Sequence, residues 1–291
     1  MERLEFLRHI KKVVILAMFS DDDLMDRLVL KGGNLLDIVY QLSARASVDV
    51  DLSMSGEFED VDKLRSKILN ALETTFKSYG YVVFDFKLTE QPPKLSEDMK
   101  DFWGGYRVEF KLIDELKQRP IADDIENLRR HAANVGEKGS TVFRIDISKH
   151  EFCEDKQLFE VDEHSIYGYS PEMFVAEKLR ALCQQMDEYV QLVHLHPRAR
   201  PKDFVDIQII SQHYGIDFSR DEFRDLVCST FAIKKVPPKL LGELGATSDF
   251  HAVGFEAVRS TVYPDFDLQD FDFYFDYVCR KCQQLEPLWR E

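Results

Sequence analysis

Cysteine is scarce in this 291-residue sequence, and its five cysteines show no spacing typical of a disulfide framework. We therefore expect a reducing, cytoplasmic setting. Cys279 and Cys282 form an isolated pair without a second pair of ligands, which argues against a structural zinc site. No run approaches the roughly 18 apolar residues of a membrane span, and residues 1–12 lack the apolar core of a secretory signal. We therefore expect no association with a membrane.

Positive charge is also in short supply. Lysine and arginine number 38 against 53 aspartates and glutamates, which gives a formal net charge of −15. Broad, non-specific binding to nucleic acid depends on neutralising phosphates, so this balance argues against it. The balance still permits a local basic patch that docks one structured RNA, or a basic protein partner. Hydrophobic residues make up 44% of the chain, enough for a sizeable core in one large domain or two modest ones.

The densest functional pattern begins with an apolar run, residues 28–30, which suits a buried strand. Lys31, Gly32 and Gly33 follow, and two glycines let the backbone turn sharply and approach a ligand closely. Asn34 is suited to cap the helix that comes next, so backbone N–H groups and Lys31 would gather at a helix N-terminus. This arrangement predicts a binding site for phosphate.

A strictly alternating segment, residues 48–53, follows that helix. Asp49 and Asp51 fall on one face of the predicted strand, roughly 6–7 Å apart, because each residue rises about 3.3 Å. Two carboxylates at that distance can hold one or two divalent ions, and Mg²⁺, or Mn²⁺ in its place, suits an all-oxygen site that handles phosphates. Each motif alone is commonly a surface turn or the wet face of an edge strand. Their order, strand–turn–helix–strand, favours a site for a nucleoside triphosphate.

A further alternating strand is predicted at residues 141–148, where apolar residues face the core and polar ones face outward. Asp146 lies on the outward face and repeats the chemistry of the earlier aspartates on a second strand. The alternative is that Asp146 only faces water. We favour a role as the third metal ligand, because it would complete a three-acid cluster, and Glu109 on the preceding strand is the fallback.

Two helices of the C-terminal half carry further candidates. A Ser-Pro-Glu start at residues 170–172 begins a helix in which Lys178 lies near the edge of the apolar face. Lys178 either contacts a ligand or lays its stem over the core with its ammonium in water. Asp203 lies in the first turn of a later helix, as an active-site acid or as a carboxylate that stabilises the helix dipole. The basic residues suited to contact RNA are Arg198, Arg200 and Lys202, with Arg129 and Arg130 as a second patch.

The periodicities predict a mixed α/β part followed by a helical part. The change occurs in a break near residues 149–170, which is the expected boundary between the two. Neither an internal repeat nor a low-complexity linker is evident.

Four motifs occur in order along the chain: Lys31-Gly32-Gly33, Asp49-Val50-Asp51, Ala176-Glu177-Lys178-Leu179 and Arg200-Pro201-Lys202-Asp203-Phe204-Val205-Asp206. As a set they resemble the AbiEii/AbiGii toxin family, within the polymerase-beta-like nucleotidyltransferases, over about residues 28–210. The resemblance implies an α+β fold, with a nucleotidyltransferase core at residues 1–160 and a helical domain at residues 161–291 that completes the active-site cleft.

The resemblance also implies roles for single residues. Asp49 and Asp51 would be metal ligands, Lys178 would contact the triphosphate, and Asp203 would be an active-site acid that orients or deprotonates the acceptor. With the glycine turn, these residues would form the catalytic site. The third carboxylate, Asp146, has no motif around it and rests on its strand position.

Residues just before the aspartate pair also fit the family. Many members carry an arginine and a serine or threonine there, as Arg45 and Ser47 stand here. Asn34 departs from the family, because a serine or threonine often follows the glycines. One hydroxyl contact to phosphate is therefore missing.

The function implied is transfer of a nucleoside monophosphate from a triphosphate to an acceptor hydroxyl. Relatives act as toxins of toxin–antitoxin, or abortive infection, systems, and some act on the 3′ end of transfer RNA. We therefore expect a nucleoside triphosphate, an RNA acceptor and a cognate antitoxin protein as partners. The alternatives are a nucleotide-binding regulator that transfers nothing, and a nucleotidyltransferase that modifies a small molecule or a protein.

Overall fold

The computed structural model describes residues 3–42, 49–135, 139–194, 196–263 and 266–290. Their contacts divide the chain into two compact units. The first unit contains the described residues up to Val39, those from Asp49 to Cys153, and residues 157–168. The second contains the remaining described residues, chiefly those from Tyr169 onward. No helix within the described ranges is long and apolar enough to cross a membrane.

The first unit is built on a mixed sheet of seven strands among the described residues. The strands are β1 (Val29–Lys31), β2 (Val50–Ser53), β3 (Tyr81–Gln91), β4 (Gly105–Asp114), β5 (Phe143–Ser148), β6 (Gln157–Val161) and β7 (His164–Gly168). Their spatial order is β3-β4-β5-β2-β1-β7-β6. The central strand β2 pairs antiparallel with β1 and parallel with β5, so acids that are remote in sequence become neighbours.

One face of this sheet carries the core. The alternation predicted for β5 is confirmed, because Phe143, Ile145 and Ile147 are buried whereas Arg144 is exposed. Helices α1 (Arg3–Met18) and α4 (Val61–Ser78) pack against each other, and the ring of Phe76 on α4 lies 5.9 Å from that of Phe110 on β4. The opposite, polar face of the sheet therefore carries the aspartates.

The remaining helices of the first unit are short. They are α2 (Asp22–Arg27), α3 (Gly32–Asn34), α5 (Glu115–Gln118) and α6 (Ile125–Arg130), and a π-helical turn spans Leu35–Val39. Asp21 caps α2, because its carboxylate accepts a hydrogen bond from the Leu24 N–H at 3.1 Å. Between residues 121 and 134, the α-helix is confined to α6. Strands β6 and β7 form an antiparallel hairpin inside the segment where the sequence predicts a break.

The second unit is helical. Its helices are α7 (Pro171–Cys183), α8 (Asp187–Val193), α9 (Pro201–His213), α10 (Asp221–Ala232), α11 (Leu240–Glu243), α12 (Ser248–Ala252), α13 (Phe255–Arg259) and α14 (Phe271–Cys282). Ser170 caps α7 as predicted, because its hydroxyl accepts a hydrogen bond from the Met173 N–H at 3.2 Å. With the sheet of the first unit, these helices make an α+β protein, as the sequence predicts.

Candidate active site

The pair Asp49 and Asp51 stands at the middle of the sheet. Asp51 on β2 lies in register with Asp146 on β5 and with Lys31 on β1, so the three residues share one row on the polar face. Asp49 directly precedes β2 and is only partly exposed. The structure therefore brings together three of the residues that the sequence nominates from separate segments.

The glycine turn makes room for one of these carboxylates. Gly32 has a φ of +68°, a conformation that side chains rarely adopt. A Cβ atom at Gly32 would lie 2.5 Å from Oδ2 of Asp51. The close approach predicted for this glycine is thus an approach to Asp51 itself, and it fixes the carboxylate beside the turn. Gly33 is buried within α3.

Asn34 does not cap a helix, contrary to the expectation from the sequence. The helix begins at Gly32, because the positive φ of that glycine turns the chain directly out of β1. The buried amide of Asn34 instead donates a hydrogen bond to the main-chain oxygen of Asp49 at 2.5 Å. Its Oδ1 has no hydrogen-bond partner among the described residues, so a buried acceptor is left open beside the aspartate pair.

Lys31 already has partners within the first unit. Its side chain is buried, and its ammonium donates a hydrogen bond to the hydroxyl of Ser148 at 3.0 Å. The same ammonium lies 3.7 Å from Oε1 of Glu151. A contact between Lys31 and phosphate stays a prediction, and it requires the ammonium to share or leave these partners.

The two candidates for a third carboxylate occupy different strands. Asp146 lies on β5, next to β2, whereas Glu109 lies on β4, one strand further away. Asp146 accepts two hydrogen bonds from Arg107, from Nε at 2.7 Å and from Nη2 at 3.2 Å. Glu109 accepts one from Nε of Arg144 at 3.1 Å. Position therefore favours Asp146, although an arginine already holds its carboxylate.

Asp49 has a perturbed pKa. Burial raises the pKa of Asp49, and the negative charge of Asp146 raises it further, while Arg144 and Arg107 lower it. Crowded carboxylates of this kind favour a cation. Within the described ranges, however, no three side chains of His, Cys, Asp or Glu are already arranged to hold a metal ion.

The second unit holds the other two nominated residues, and they touch. The Lys178 ammonium on α7 donates a hydrogen bond to Oδ1 of Asp203 on α9 at 2.8 Å, and it lies 2.9 Å from Oδ2 of Asp206. All three side chains are 7% exposed or less. The alternative that places the Lys178 ammonium in water is wrong, because the ammonium is buried between two carboxylates. A contact between Lys178 and a triphosphate stays a prediction. Asp206, one helical turn beyond Asp203, is the partner that the sequence analysis did not assign.

Arg200 and His251 complete this ion cluster. The guanidinium of Arg200 binds the second oxygen of Asp203, and the Arg200 N–H donates a hydrogen bond to Nδ1 of the buried His251 at 3.0 Å. Burial lowers the pKa of His251 to about 4, so the ring is neutral near pH 7. Burial alone would raise the pKa of Asp203, but Arg200 and Lys178 outweigh it and hold that pKa below its usual range. The pKa of Lys178 is raised despite burial, because Asp203 and Asp206 stabilise its charged form.

Two of the five basic residues nominated for RNA binding pair with acids. Arg200 binds Asp203, and Arg129 binds both oxygens of Asp85 at 2.7 and 2.9 Å. The Arg129 pair lies at the surface, whereas Arg200 pairs with a buried acid, and RNA binding by the five nominated residues stays a prediction. The motif residues Arg45 and Ser47 lie outside the described residues.

Solved structures resemble this chain at low sequence identity. JHP933 from Helicobacter pylori matches with a TM-score of 0.53 and 13% identity, over 99% of this chain and 94% of that one. A second H. pylori protein, provisionally described as a nucleotidyltransferase, has a TM-score of 0.48, 15% identity, and coverage of 99% and 97%. An antigenic nucleotidyltransferase-like protein from Paracoccidioides brasiliensis has a TM-score of 0.38, 14% identity, and coverage of 80% and 93%. At these identities, the first similarity shows a shared fold alone.

Sequence comparison is more specific. No curated protein matches the chain significantly. The profile of one family, described as the nucleotidyl transferase AbiEii toxin of type IV toxin–antitoxin systems, matches residues 14–277. That range contains the glycine turn, the aspartate pair, β5 and the ion cluster of the second unit. The resemblance noted from the motifs is thereby confirmed, and the chain belongs to the AbiEii family of nucleotidyltransferase toxins.

Proposed function

We propose that this nucleotidyltransferase moves a nucleoside monophosphate from a triphosphate to a hydroxyl of an RNA acceptor, such as the 3′ end of transfer RNA. The acceptor oxygen forms a new bond to the α-phosphorus, and the bond from that phosphorus to the bridging oxygen breaks. Pyrophosphate leaves, and the hydroxyl proton passes to solvent. The reaction would make the chain the toxin of a toxin–antitoxin pair.

The observation that carries the proposal is the row of carboxylates on the polar face of the sheet. Asp51 and Asp146 are paired in register on adjacent strands. Asp49 lies two residues before Asp51, and its pKa is raised. Oxygen ligands of this kind fit Mg²⁺ or Mn²⁺, and the open Oδ1 of Asn34 adds a neutral oxygen nearby. When bound, two such ions would stabilise the attacking and leaving oxygens.

Within this site, each residue of the first unit has a distinct task. Asp49 and Asp51 would hold the cations, and Asp146 would join them once it exchanges its pair with Arg107. Gly32 keeps the Asp51 carboxylate beside the turn, and Asn34 fixes the main chain of Asp49 through its amide. These contacts position the acids before substrate arrives, and positioning is the main source of catalysis in phosphoryl transfer.

For the ion cluster of the second unit we propose a supporting role. Lys178 would have to give up two buried carboxylates in order to grip a triphosphate, and the loss would be large. Asp203 is a weak base, because Arg200 and Lys178 hold its pKa below the usual range. The cluster ties α7 to α9, and that connection is its best-supported task.

The family is one of toxin–antitoxin systems, and membership implies a cognate antitoxin. We propose that production of the chain without its antitoxin arrests growth, in keeping with a role in abortive infection by phage. Modification of an RNA pool would account for such arrest, since transfer RNA with a blocked 3′ end cannot serve translation.

The proposal is tested by mixing the purified chain with α-labelled nucleoside triphosphates, Mg²⁺, and separate pools of total RNA, total protein and small metabolites. We expect label in the RNA. Asp49→Asn and Asp51→Asn should each abolish labelling without lowering the thermal midpoint, because an amide removes like-charge repulsion. Asp221→Asn, at an exposed acid, is the matched control.

Other results of this labelling experiment would indicate other functions. Label in protein or in a small molecule would reject RNA as the acceptor while leaving nucleotidyl transfer intact. Bound triphosphate that is recovered unchanged, with no pyrophosphate formed, would indicate a nucleotide-binding regulator instead. Full activity in Asp49→Asn would reject the metal-site assignment.

A further inference from the structure

Charged side chains continue the carboxylate row from β5 onto the next strand of the first unit, β4. On the polar face, Asp146 of β5 is opposite Arg107 of β4, and Arg144 of β5 is opposite Glu109. Asp49 precedes Val50, the register partner of Ile145, so Asp49 stands at the level of Arg144. Two arginines therefore lie directly beside the proposed metal carboxylates.

These two arginines are diagonal neighbours across an antiparallel pair of strands. Such positions are about 7–8 Å apart, within reach of one anion held between two long side chains. A guanidinium donates several N–H groups in a flat fork that matches the oxygens of a phosphate.

The present partners of the arginines are easily exchanged. Arg107 is 37% exposed and Arg144 46% exposed, and their carboxylates on Asp146 and Glu109 are 33% and 30% exposed. Ion pairs with this much water access add little stability, so another anion can replace a carboxylate at low cost. When Asp146 turns toward a cation, Arg107 is released for that anion.

We infer that Arg107 and Arg144 form the subsite for a phosphate of the RNA acceptor, an inference that rests on the proposed function. The glycine turn lies on the β1 side of Asp51, whereas both arginines lie on the β5 and β4 side. Attacking and leaving oxygens must lie on opposite sides of the α-phosphorus. With the triphosphate tail toward the turn, the acceptor approaches from the side of the arginines.

The net charge of the chain supports a confined contact of this kind. A protein with charge −15 repels a polynucleotide over most of its surface, so a short contact near the reacting end is favoured. If two arginines bind a single phosphate, RNA affinity should depend only weakly on salt. The logarithm of the binding constant should then fall with the logarithm of salt concentration with a slope of about −0.7 for each phosphate neutralised.

The test measures binding of a fluorescently labelled total tRNA pool to Arg144→Gln and to Arg107→Lys, and separately the binding of labelled triphosphates. Arg107→Lys keeps a counter-ion for Asp146 but loses the flat fork. We expect tRNA affinity to fall about tenfold in each variant, with triphosphate affinity unchanged. Arg119→Gln, at an exposed arginine paired with Glu115, is the matched control and should bind tRNA normally.

A variant that should strengthen tRNA binding provides a second test. Glu109→Gln removes the carboxylate that holds Arg144, so it should strengthen tRNA binding, whereas a merely structural ion pair would leave tRNA binding unchanged. Weaker triphosphate binding with normal tRNA binding would assign the phosphate to the nucleotide and overturn the inference. Normal tRNA binding in both arginine variants, or no tRNA binding by the unmodified chain, would also overturn it.

The binding assay also separates this inference from the proposed function. If the chain transfers no nucleotide to RNA but still binds tRNA through the two arginines, the proposed reaction is wrong and the phosphate subsite is supported. Should RNA be labelled at the normal rate by both arginine variants, transfer stands and the subsite fails.

Discussion

Replacing Lys178 by methionine keeps the length of the side chain but removes the ammonium that lies between Asp203 and Asp206. The contacts at 2.8 and 2.9 Å are buried, with the lysine 6% exposed and the acids 7% and 3% exposed. Water cannot replace the lost charge at such positions, so the cost is that of breaking a buried pair, about 3–5 kcal/mol. Roughly 2–4 °C of thermal midpoint accompany each kcal/mol at this chain length, so we expect a fall of about 6–20 °C.

The assay is unfolding by heat and by urea, with triphosphate affinity measured on the same preparations. Lys239→Met is the matched control, because Lys239 is 56% exposed and pairs with Glu188 at the surface. Its effect should stay within about 1 kcal/mol. Asp206→Asn in the Lys178→Met background should recover part of the loss, since Asp203 keeps its pair with Arg200 and the acid that loses the lysine is then neutral.

The reasoning fails if Lys178→Met unfolds like the unmodified chain while triphosphate binding weakens. That result would show Lys178 to be a ligand contact, as the resemblance implies, and would mean that its ion pairs contribute little to the fold.

Two other outcomes follow from the structure. Gly32→Ala should destabilise the chain by about 1–2 kcal/mol through its positive φ and should slow transfer more than that, because the new Cβ displaces the Asp51 carboxylate. Unfolding and transfer rates measured together check this, and normal transfer would contradict it. The pKa of Asp203 lies below its usual range, so its stabilising contribution is present above about pH 4 and is lost as the pH falls. The thermal midpoint should therefore fall less between about pH 5 and pH 3 in Asp203→Asn than in the unmodified chain, and equal falls would contradict the assignment.

Local periodicity predicted which face of a strand each aspartate occupies. Alternation on β2 and β5 places the apolar residues inward and Asp51 and Asp146 on the polar face, as the structure has them. Alternation does not reveal which strands are neighbours. The pairing of Asp146 with Arg107 depends on β4 lying next to β5, and strand order is a property of the whole sheet.

The error in the predicted start of the helix after β1 has a local cause. Asn34 is a favoured capping residue, but the positive φ of Gly32 starts the helix three residues earlier than a cap at Asn34 would. The hairpin at residues 157–168 was missed for a different reason, since β6 is mostly exposed and shows almost no alternation of apolar and polar residues.

Each unit contains a group of ion pairs between basic side chains and aspartates, and the two groups differ in their exposure to solvent. Around Arg107 and Asp146, about a third of each side chain reaches water, so a carboxylate can exchange an arginine for a cation at small cost. The side chains of Lys178 and Asp203 are almost completely buried, so the same exchange would leave a charge buried without a partner. Ligand exchange is therefore feasible on the sheet and costly among the helices. This difference supports the proposal that carboxylates of the first unit exchange partners during catalysis while the second unit's cluster stays paired.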